Sequence, residues 1–174
     1  VNNLIGTSVL DLGSGTGAAF DQLFNFETTA VAPDKQMLEL NTFENKVQGF
    51  AEDLPFEDNS FDNVFCSFVW RNVSDTNIAL NEVYRVLRPG GRFILLDMTR
   101  PKNSFLRMLH KIGTFKVLHL IGLITFNLKE YRFLYKSLDF YPQPEEHLNK
   151  DNFIDLKIER MGLFNFVYLA VFTK

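Results

Sequence analysis

Residues 9–17 read VLDLGSGTG, which combines an apolar run, an acid and three glycines at alternate positions. We predict a short buried parallel strand at residues 8–12 and a helix at residues 18–25, so the glycines form the turn between them. Small ligands bind at such turns in open α/β sheets. Glycines let backbone N–H groups approach a ligand because they carry no Cβ, and the helix N-terminus favours a carboxylate or a phosphate.

The spacing of the glycines narrows the class of ligand. A dinucleotide loop reads GxGxxG, whereas this loop reads GxGxG and is preceded two residues earlier by Asp11. An acid at that position suits a ligand that carries a cation. The alternative interpretation is a glycine-rich turn that binds nothing.

The composition limits the classes of protein to consider. A chain of 174 residues supports one domain with a substantial core, over residues 1–174. The net charge is −3 without a basic stripe, so we predict no nucleic-acid partner. The single cysteine, Cys66, excludes an internal disulfide and a multi-cysteine metal site, and favours an intracellular location. We predict no metal site.

Strand and helix patterns alternate after the first turn. Further strands are predicted at residues 27–32, 46–51, 61–68 and 92–98. Helices are predicted at residues 35–43, after the N-cap Asp34, and after an N-cap at Ser74 or Asp75. Five such repeats predict a mostly parallel sheet with helices on both faces. Only eight residues precede residue 9, which leaves open a longer natural N-terminus.

The pattern changes to helices after the fifth strand. Apolar residues recur at helical spacing from residue 105 to residue 140, which predicts a helical insertion at about residues 103–141. The longest uncharged run in it, residues 117–128, is too short to span a bilayer. Strands at residues 156–160 and 166–173 are expected to complete a seven-stranded sheet as an antiparallel hairpin at its edge.

Two longer segments resemble one known family. Residues 61–101, FDNVFCSFVWRNVSDTNIALNEVYRVLRPGGRFILLDMTRP, resemble the ubiquinone and menaquinone biosynthesis C-methyltransferases, in which a strand ends in SFGxRNV and a helix reaches LKPGG. Residues 115–146, FKVLHLIGLITFNLKEYRFLYKSLDFYPQPEE, resemble the insertion of that family. The resemblance implies a Rossmann-like class I fold and methylation of a ring carbon of a prenylated quinol with S-adenosylmethionine.

The resemblance also implies a set of cofactor-binding residues: Asp11, Gly13, Ser14, Gly15, Gly17, Ala32, Pro33, Met37, Phe50, Ala51 and Ser67. The family usually has acids for the ribose and the adenine where this chain has Ala32 and Phe50. Loss of both would weaken cofactor binding by about two to four orders of magnitude unless something replaces them. Glu52, Asp53 or Asp34 are candidate replacements, and Phe50 is placed to stack on the adenine.

Arg71 and Asn72 are the predicted catalytic residues, because they come just after the fourth strand. A quinol ring carbon becomes nucleophilic when a hydroxyl loses its proton, so a cation that stabilises the phenolate is expected near the methyl donor. Arg71 would stabilise this oxyanion and Asn72 would orient it. The alternative for Arg71 is a salt bridge that fixes the loop.

Other polar residues are weaker candidates. His110 and His119 lie among apolar residues, where a histidine is more often a packing residue than a base, and His147 is expected to be solvent exposed. Tyr131 and Tyr135 share a helix face. They would line a quinol pocket or pack in the core.

The sequence therefore predicts a cytoplasmic S-adenosylmethionine-dependent C-methyltransferase that acts on a small, apolar, quinol-like substrate. The insertion is predicted to form an apolar lid over this acceptor, which leaves open a peripheral membrane contact; a homodimer also stays open. A related methyltransferase with another small apolar acceptor is one alternative. The other is a degenerate methyltransferase-like protein that binds cofactor weakly and acts through association.

Overall fold

The computed structural model describes residues 3–148 and 152–174, apart from the side chains of Glu130 and Phe164. The strands are β1 (Ser8–Leu12), β2 (Glu27–Ala32), β3 (Asn45–Gln48), β4 (Phe61–Ser67), β5 (Leu87–Met98), β6 (Asp155–Met161) and β7 (Val167–Thr173). The helices are α1 (Phe20–Leu23), α2 (Lys35–Glu39), α3 (Thr76–Val86), α4 (Ser104–Ile124), α5 (Leu128–Phe140) and α6 (Pro144–His147). Short 3₁₀ turns cover Trp70–Asn72 and Leu163–Asn165.

The seven strands form one sheet in the order β3-β2-β1-β4-β5-β7-β6. β1 lies parallel to both β2 and β4, and Val9 is opposite Thr28 on one side and Asn63 on the other. Four of the five residues of β1 are buried, as expected for a parallel strand that is covered on both faces. The predicted Rossmann-like α/β sheet of seven strands is confirmed, and the sheet is mixed rather than entirely parallel.

Two apolar layers stabilise the sheet. In the first layer, Leu23 of α1 and Leu38 of α2 belong to a buried cluster with Val9. In the other, the ring of Phe93 lies 5.3 Å from that of Trp70 and 5.3 Å from that of Phe172. Complete burial of each such large side chain contributes about 1.5–3 kcal/mol to stability.

Several predicted boundaries were wrong. α1 covers four residues rather than residues 18–25, and α2 ends at Glu39 rather than at residue 43. Beyond α2, Asn41 uses its side chain to bind Ser14, Gly15 and the N–H of Phe43, which competes with a further helical turn. β3 ends at Gln48 rather than at residue 51.

β5 begins earlier than predicted, at Leu87 rather than at residue 92. Leu87 pairs with Phe61 of β4, and the register shifts between Phe61 and Asn63. The strand therefore contains Pro89 and the two glycines that follow it.

The chain divides into two compact units. The first contains Val1–Asp97, Lys150–Lys157 and Leu169–Lys174; the second contains Met98–Asn149 and Ile158–Tyr168. Within the second unit, α4 and α5 form the predicted helical insertion as a hairpin. Gly122 permits the tight turn between them, because a Cβ there would lie 3.1 Å from Leu128. The single domain over residues 1–174 and the lid role of the insertion stay predictions.

Candidate functional site

A cavity of about 180 Å³ lies at the carboxyl ends of β1, β2 and β4. It is lined by Leu12, Gly13, Val31, Ala32, Pro33, Gly49, Phe50, Ala51, Glu52, Cys66, Val69, Asn72, Val73 and Ser74. Six of these residues are in the predicted site: Gly13, Ala32, Pro33, Phe50, Ala51 and Asn72. The structure therefore brings together residues that are far apart in the sequence, at the edge where ligands bind in α/β sheets.

The other predicted site residues do not line this cavity. Met37 is exposed on α2, and Ser67 is the last residue of β4. Asp11, Ser14, Gly15, Gly17 and Arg71 lie close to it along the chain, in β1, in the glycine turn and in the 3₁₀ turn after β4. The binding roles of all these residues stay predictions.

The glycine turn contains positions with different requirements. Gly13 is needed by the protein itself, because a Cβ there would lie 2.5 Å from Val69. Gly15 has φ +53°, and a Cβ there would meet nothing closer than the sulfur of Met37 at 3.9 Å. The N–H groups of Gly15 and Thr16 donate to no described residue. The turn thus leaves open space and free donors at Gly15.

Asp11 places a buried carboxylate beside the glycine turn. Its exposed fraction is 2%, and its Oδ2 has no hydrogen-bond partner among the described residues. Burial raises the pKa of Asp11 to about 6, and a hydrogen bond with the Ser14 side chain lowers it in part. The Ser14 hydroxyl also accepts from Asn41 Nδ2 at 2.7 Å. Asn41 thus fixes the turn, and no motif in the sequence marked it.

Arg71 is held by a residue that the sequence analysis did not identify. Its guanidinium forms an ion pair with Asp97 near the end of β5, and its backbone N–H donates to the other Asp97 oxygen at 3.3 Å. The side chains are 4% and 0% exposed. This contact is the loop-fixing salt bridge that was the alternative interpretation of Arg71. The one signal for Asp97 was a charge in the apolar strand sequence FILLDM.

The net charge of this region is negative. The pKa of the Cys66 thiol is raised by burial and then by the negative charges of Asp97 and Asp11, so the thiol is neutral and a poor nucleophile. Two carboxylates and one guanidinium leave an excess negative charge next to the cavity. Such a site favours a ligand that carries positive charge.

Comparison with known proteins identifies the family. The sequence model of the ubiE/COQ5 methyltransferase family matches residues 1–153. The chain belongs to this family. It is 37% identical to the ubiquinone/menaquinone biosynthesis C-methyltransferase UbiE of Rickettsia bellii, over 82% of this chain and 65% of the relative. The corresponding protein of Haemophilus ducreyi is 38% identical, over 81% of this chain and 61% of the relative. The chain thus spans less than two-thirds of the length of these relatives.

Solved structures agree on the fold of the ubiE/COQ5 family member. A SAM-dependent methyltransferase of Thermotoga maritima superposes with a TM-score of 0.70 at 22% identity, over 98% of this chain and 84% of that one. A SAM-dependent methyltransferase of Aquifex aeolicus superposes with a TM-score of 0.59 at 15% identity, over 98% of this chain and 84% of that one. These similarities show the fold.

The two acids expected for the ubiE/COQ5 family are absent from the cavity. Ala32 is buried, and Phe50 lies with 60% of its surface exposed. Glu52 lines the cavity, but its Oε1 already accepts from the N–H groups of Ser74 and Asp75. Asp34 is also occupied, because its Oδ1 accepts from two N–H groups as the N-cap of α2.

The polar residues of the insertion fall into two groups. The buried Arg100 binds Asp139 at 2.8 Å and Nδ1 of His110 at 3.2 Å. Burial, followed by the charge of Arg100, lowers the pKa of His110, so this histidine is neutral at pH 7. Tyr131 and Tyr135 line a separate cavity of about 160 Å³ between α4 and α5.

The expected exposure of His147 was wrong. The ring lies 4.5 Å from that of Tyr141, and its Nδ1 is 2.8 Å from the carbonyl oxygen of Gln143. Burial is the main cause of the lowered pKa of His147. The residue packs within the second unit.

Proposed function

We propose that this chain is an S-adenosylmethionine-dependent C-methyltransferase that acts on a prenylated quinol of ubiquinone or menaquinone biosynthesis. The observation that carries the proposal is the buried Oδ2 of Asp11, which has no partner among the described residues and lies beside a glycine turn with free N–H groups. Membership of the ubiE/COQ5 family supports the same function.

The chemistry of the turn fits the amino-acid end of this cofactor. Asp11 would accept from the ammonium group, and the free N–H groups of Gly15 and Thr16 would donate to the carboxylate. The bound cofactor supplies a methyl group that is activated by a sulfonium. The negative charge of Asp11 and Asp97 favours that cation as well.

Asn72 and Arg71 are the proposed catalytic residues. Asn72 lines the cavity, and its amide would orient a hydroxyl of the acceptor. Arg71 would stabilise the phenolate that forms when this hydroxyl loses its proton. The ion pair with Asp97 keeps the guanidinium in one place, which serves a reaction that depends on positioning.

Location and assembly form a further part of the proposal. No helix among the described residues is long and apolar enough to cross a membrane. We place the protein in the cytoplasm, with a peripheral membrane contact that would bring it to a prenylated substrate. A homodimer is also proposed, and the molar mass in solution from light scattering tests it.

A methyl-transfer assay tests the proposed function. The chain is incubated with S-adenosylmethionine carrying a labelled methyl group and with a demethylated quinol that has a short prenyl tail. We expect label on a ring carbon, and loss of at least about tenfold in rate for Asn72→Ala. Transfer only to other small acceptors would favour the related methyltransferase. Cofactor binding without transfer to any acceptor would favour the degenerate form, which the missing acids at Ala32 and Phe50 also suggest.

A further inference from the structure

The outer face of α4 is apolar where an ordinary surface helix is polar. Six large apolar side chains on this face are each 42% to 61% exposed: Phe105, Met108, Leu109, Ile112, Leu120 and Leu123. Their spacing of three, four and seven residues puts them on one side of the helix. The opposite side carries His110, Thr114 and Gly122, which are buried or half-buried. The exposed Lys116, four residues from both Ile112 and Leu120, divides this face into two apolar patches. Exposed apolar patches of this kind mark an interaction surface.

The charge of the α4–α5 hairpin indicates which kind of partner this apolar face binds. Residues 103–141 contain six Lys and Arg and two Asp and Glu, for a net charge of +4, whereas the rest of the chain carries −7. Lys111 pairs with Asp139, and Arg107 donates to two backbone carbonyl oxygens. The other four cations form no ion pair with any described residue: Lys116, Lys129, Arg132 and Lys136. Unpaired cations next to an apolar face are complementary to an interface of anionic headgroups over acyl chains.

The cavity between α4 and α5 is lined both by unpaired cations and by a residue that borders the apolar face of α4. Arg132 and Lys136 of α5 line it together with Phe115 and His119 of α4. Phe115 also borders the outer face of α4, where half of its surface is exposed. Two of the unpaired cations are therefore on the same side of the hairpin as the exposed apolar residues.

We infer that the α4–α5 hairpin binds the surface of a membrane that contains anionic phospholipid. The apolar face of α4 enters the boundary between headgroups and acyl chains, while Arg132 and Lys136 contact phosphate groups. The inference rests on the surface of the hairpin and does not require methyl transfer. It also rests on the peripheral membrane contact of the proposed function and names the surface and the lipid. Vesicle binding without methyl transfer, or methyl transfer without vesicle binding, distinguishes the failure of one proposal from the failure of the other.

Vesicle co-sedimentation without cofactor or acceptor tests the inference. We expect the chain to bind vesicles of equal parts phosphatidylcholine and phosphatidylglycerol about tenfold or more tightly than vesicles of phosphatidylcholine alone. Arg132→Glu with Lys136→Glu should reduce the binding by about tenfold or more. The same reversal at Lys35 and Lys157, two exposed lysines of the first unit, is the matched control and should have little effect.

A second pair of variants tests the apolar face. Leu109→Gln with Ile112→Gln should weaken vesicle binding by about tenfold. Leu40→Gln with Ile154→Gln changes two apolar residues outside the hairpin that are each 75% exposed, more than Leu109 and Ile112, and should not weaken the binding. Equal binding to both kinds of vesicle, or unchanged binding by the hairpin variants, would overturn the inference. If the parent does not bind vesicles and is a dimer, and if Leu109→Gln with Ile112→Gln makes it a monomer, the inference is wrong. The apolar face of α4 would then bind a second copy of the chain.

Discussion

Arg71 and Asp97 form a buried ion pair that joins the turn after β4 to the end of β5. Removal of one partner leaves the other charge buried without compensation. We expect Asp97→Asn to lower the free energy of unfolding by about 3–5 kcal/mol, as measured by urea denaturation. The control Glu57→Gln removes an exposed carboxylate and should change stability by less than about 0.5 kcal/mol. A loss below about 1 kcal/mol in Asp97→Asn would show that the pair does not hold the turn.

A substitution at Gly15 should affect ligand binding more than folding. A Cβ at Gly15 meets open space, so Gly15→Ala should fold with a stability loss of about 1–2 kcal/mol from its positive φ. It should also weaken S-adenosylmethionine binding by about tenfold or more, because the methyl group occupies the space next to the free N–H groups. Gly90→Ala is the matched control, since Gly90 also has a positive φ and open space but lies outside the cavity. If both variants bind the cofactor equally well in calorimetry, the site is elsewhere.

The pKa of Asp11 predicts opposite effects of pH on stability and on binding. Because burial raises it to about 6, the folded protein retains a proton between about pH 4 and pH 6 that the unfolded chain has lost. The contribution of Asp11 to stability therefore falls as pH rises through this range, by about 3 kcal/mol in total. Asp11→Asn should gain stability relative to the parent by up to about this amount between pH 4 and pH 7.

Cofactor binding should change in the other direction. An ionised Asp11 attracts the ammonium group, so the affinity of the parent for S-adenosylmethionine should fall as pH drops below about 6. The affinity of Asp11→Asn should be weaker at pH 7 and should lack this pH dependence. Parallel pH profiles of the two proteins would show that Asp11 does not contact the cofactor.

The missing ribose contact can be restored. Ala32→Asp introduces a carboxylate at the end of β2, in the lining of the cavity, and should tighten S-adenosylmethionine binding by about tenfold to a hundredfold. The same carboxylate is buried, so the variant should be less stable than the parent without cofactor. Ala32→Asn is the control for size, and Phe50→Asp tests the adenine contact separately. Unchanged or weaker affinity in a folded Ala32→Asp variant would mean that this chain uses another ribose partner or none.

The sequence predicted the elements whose causes are local. β1 and β2 have the predicted bounds, because each is an apolar or β-branched run between turn residues. Asp34 was predicted as an N-cap, and Asp75 is the correct one of the two predicted candidates Ser74 and Asp75, because the cap depends on the next three residues.

The errors and omissions come from contacts between distant residues. α2 is short because Asn41 binds Ser14, which is 27 residues away in the sequence. Asp97 was missed because its partner, Arg71, is 26 residues away and no local pattern links them. The exposed face of α4 has the periodicity of a core helix, so the sequence could not show which side of the helix is buried.

The central claim is that the β1 turn and its cavity bind a cationic cofactor through Asp11. Isothermal titration of the parent and of Asp11→Asn with S-adenosylmethionine at pH 7.5 tests it most directly. We expect saturable binding of one cofactor per chain by the parent, and binding at least about tenfold weaker by a folded Asp11→Asn variant. No binding by the parent, or equal binding by both proteins, would contradict it.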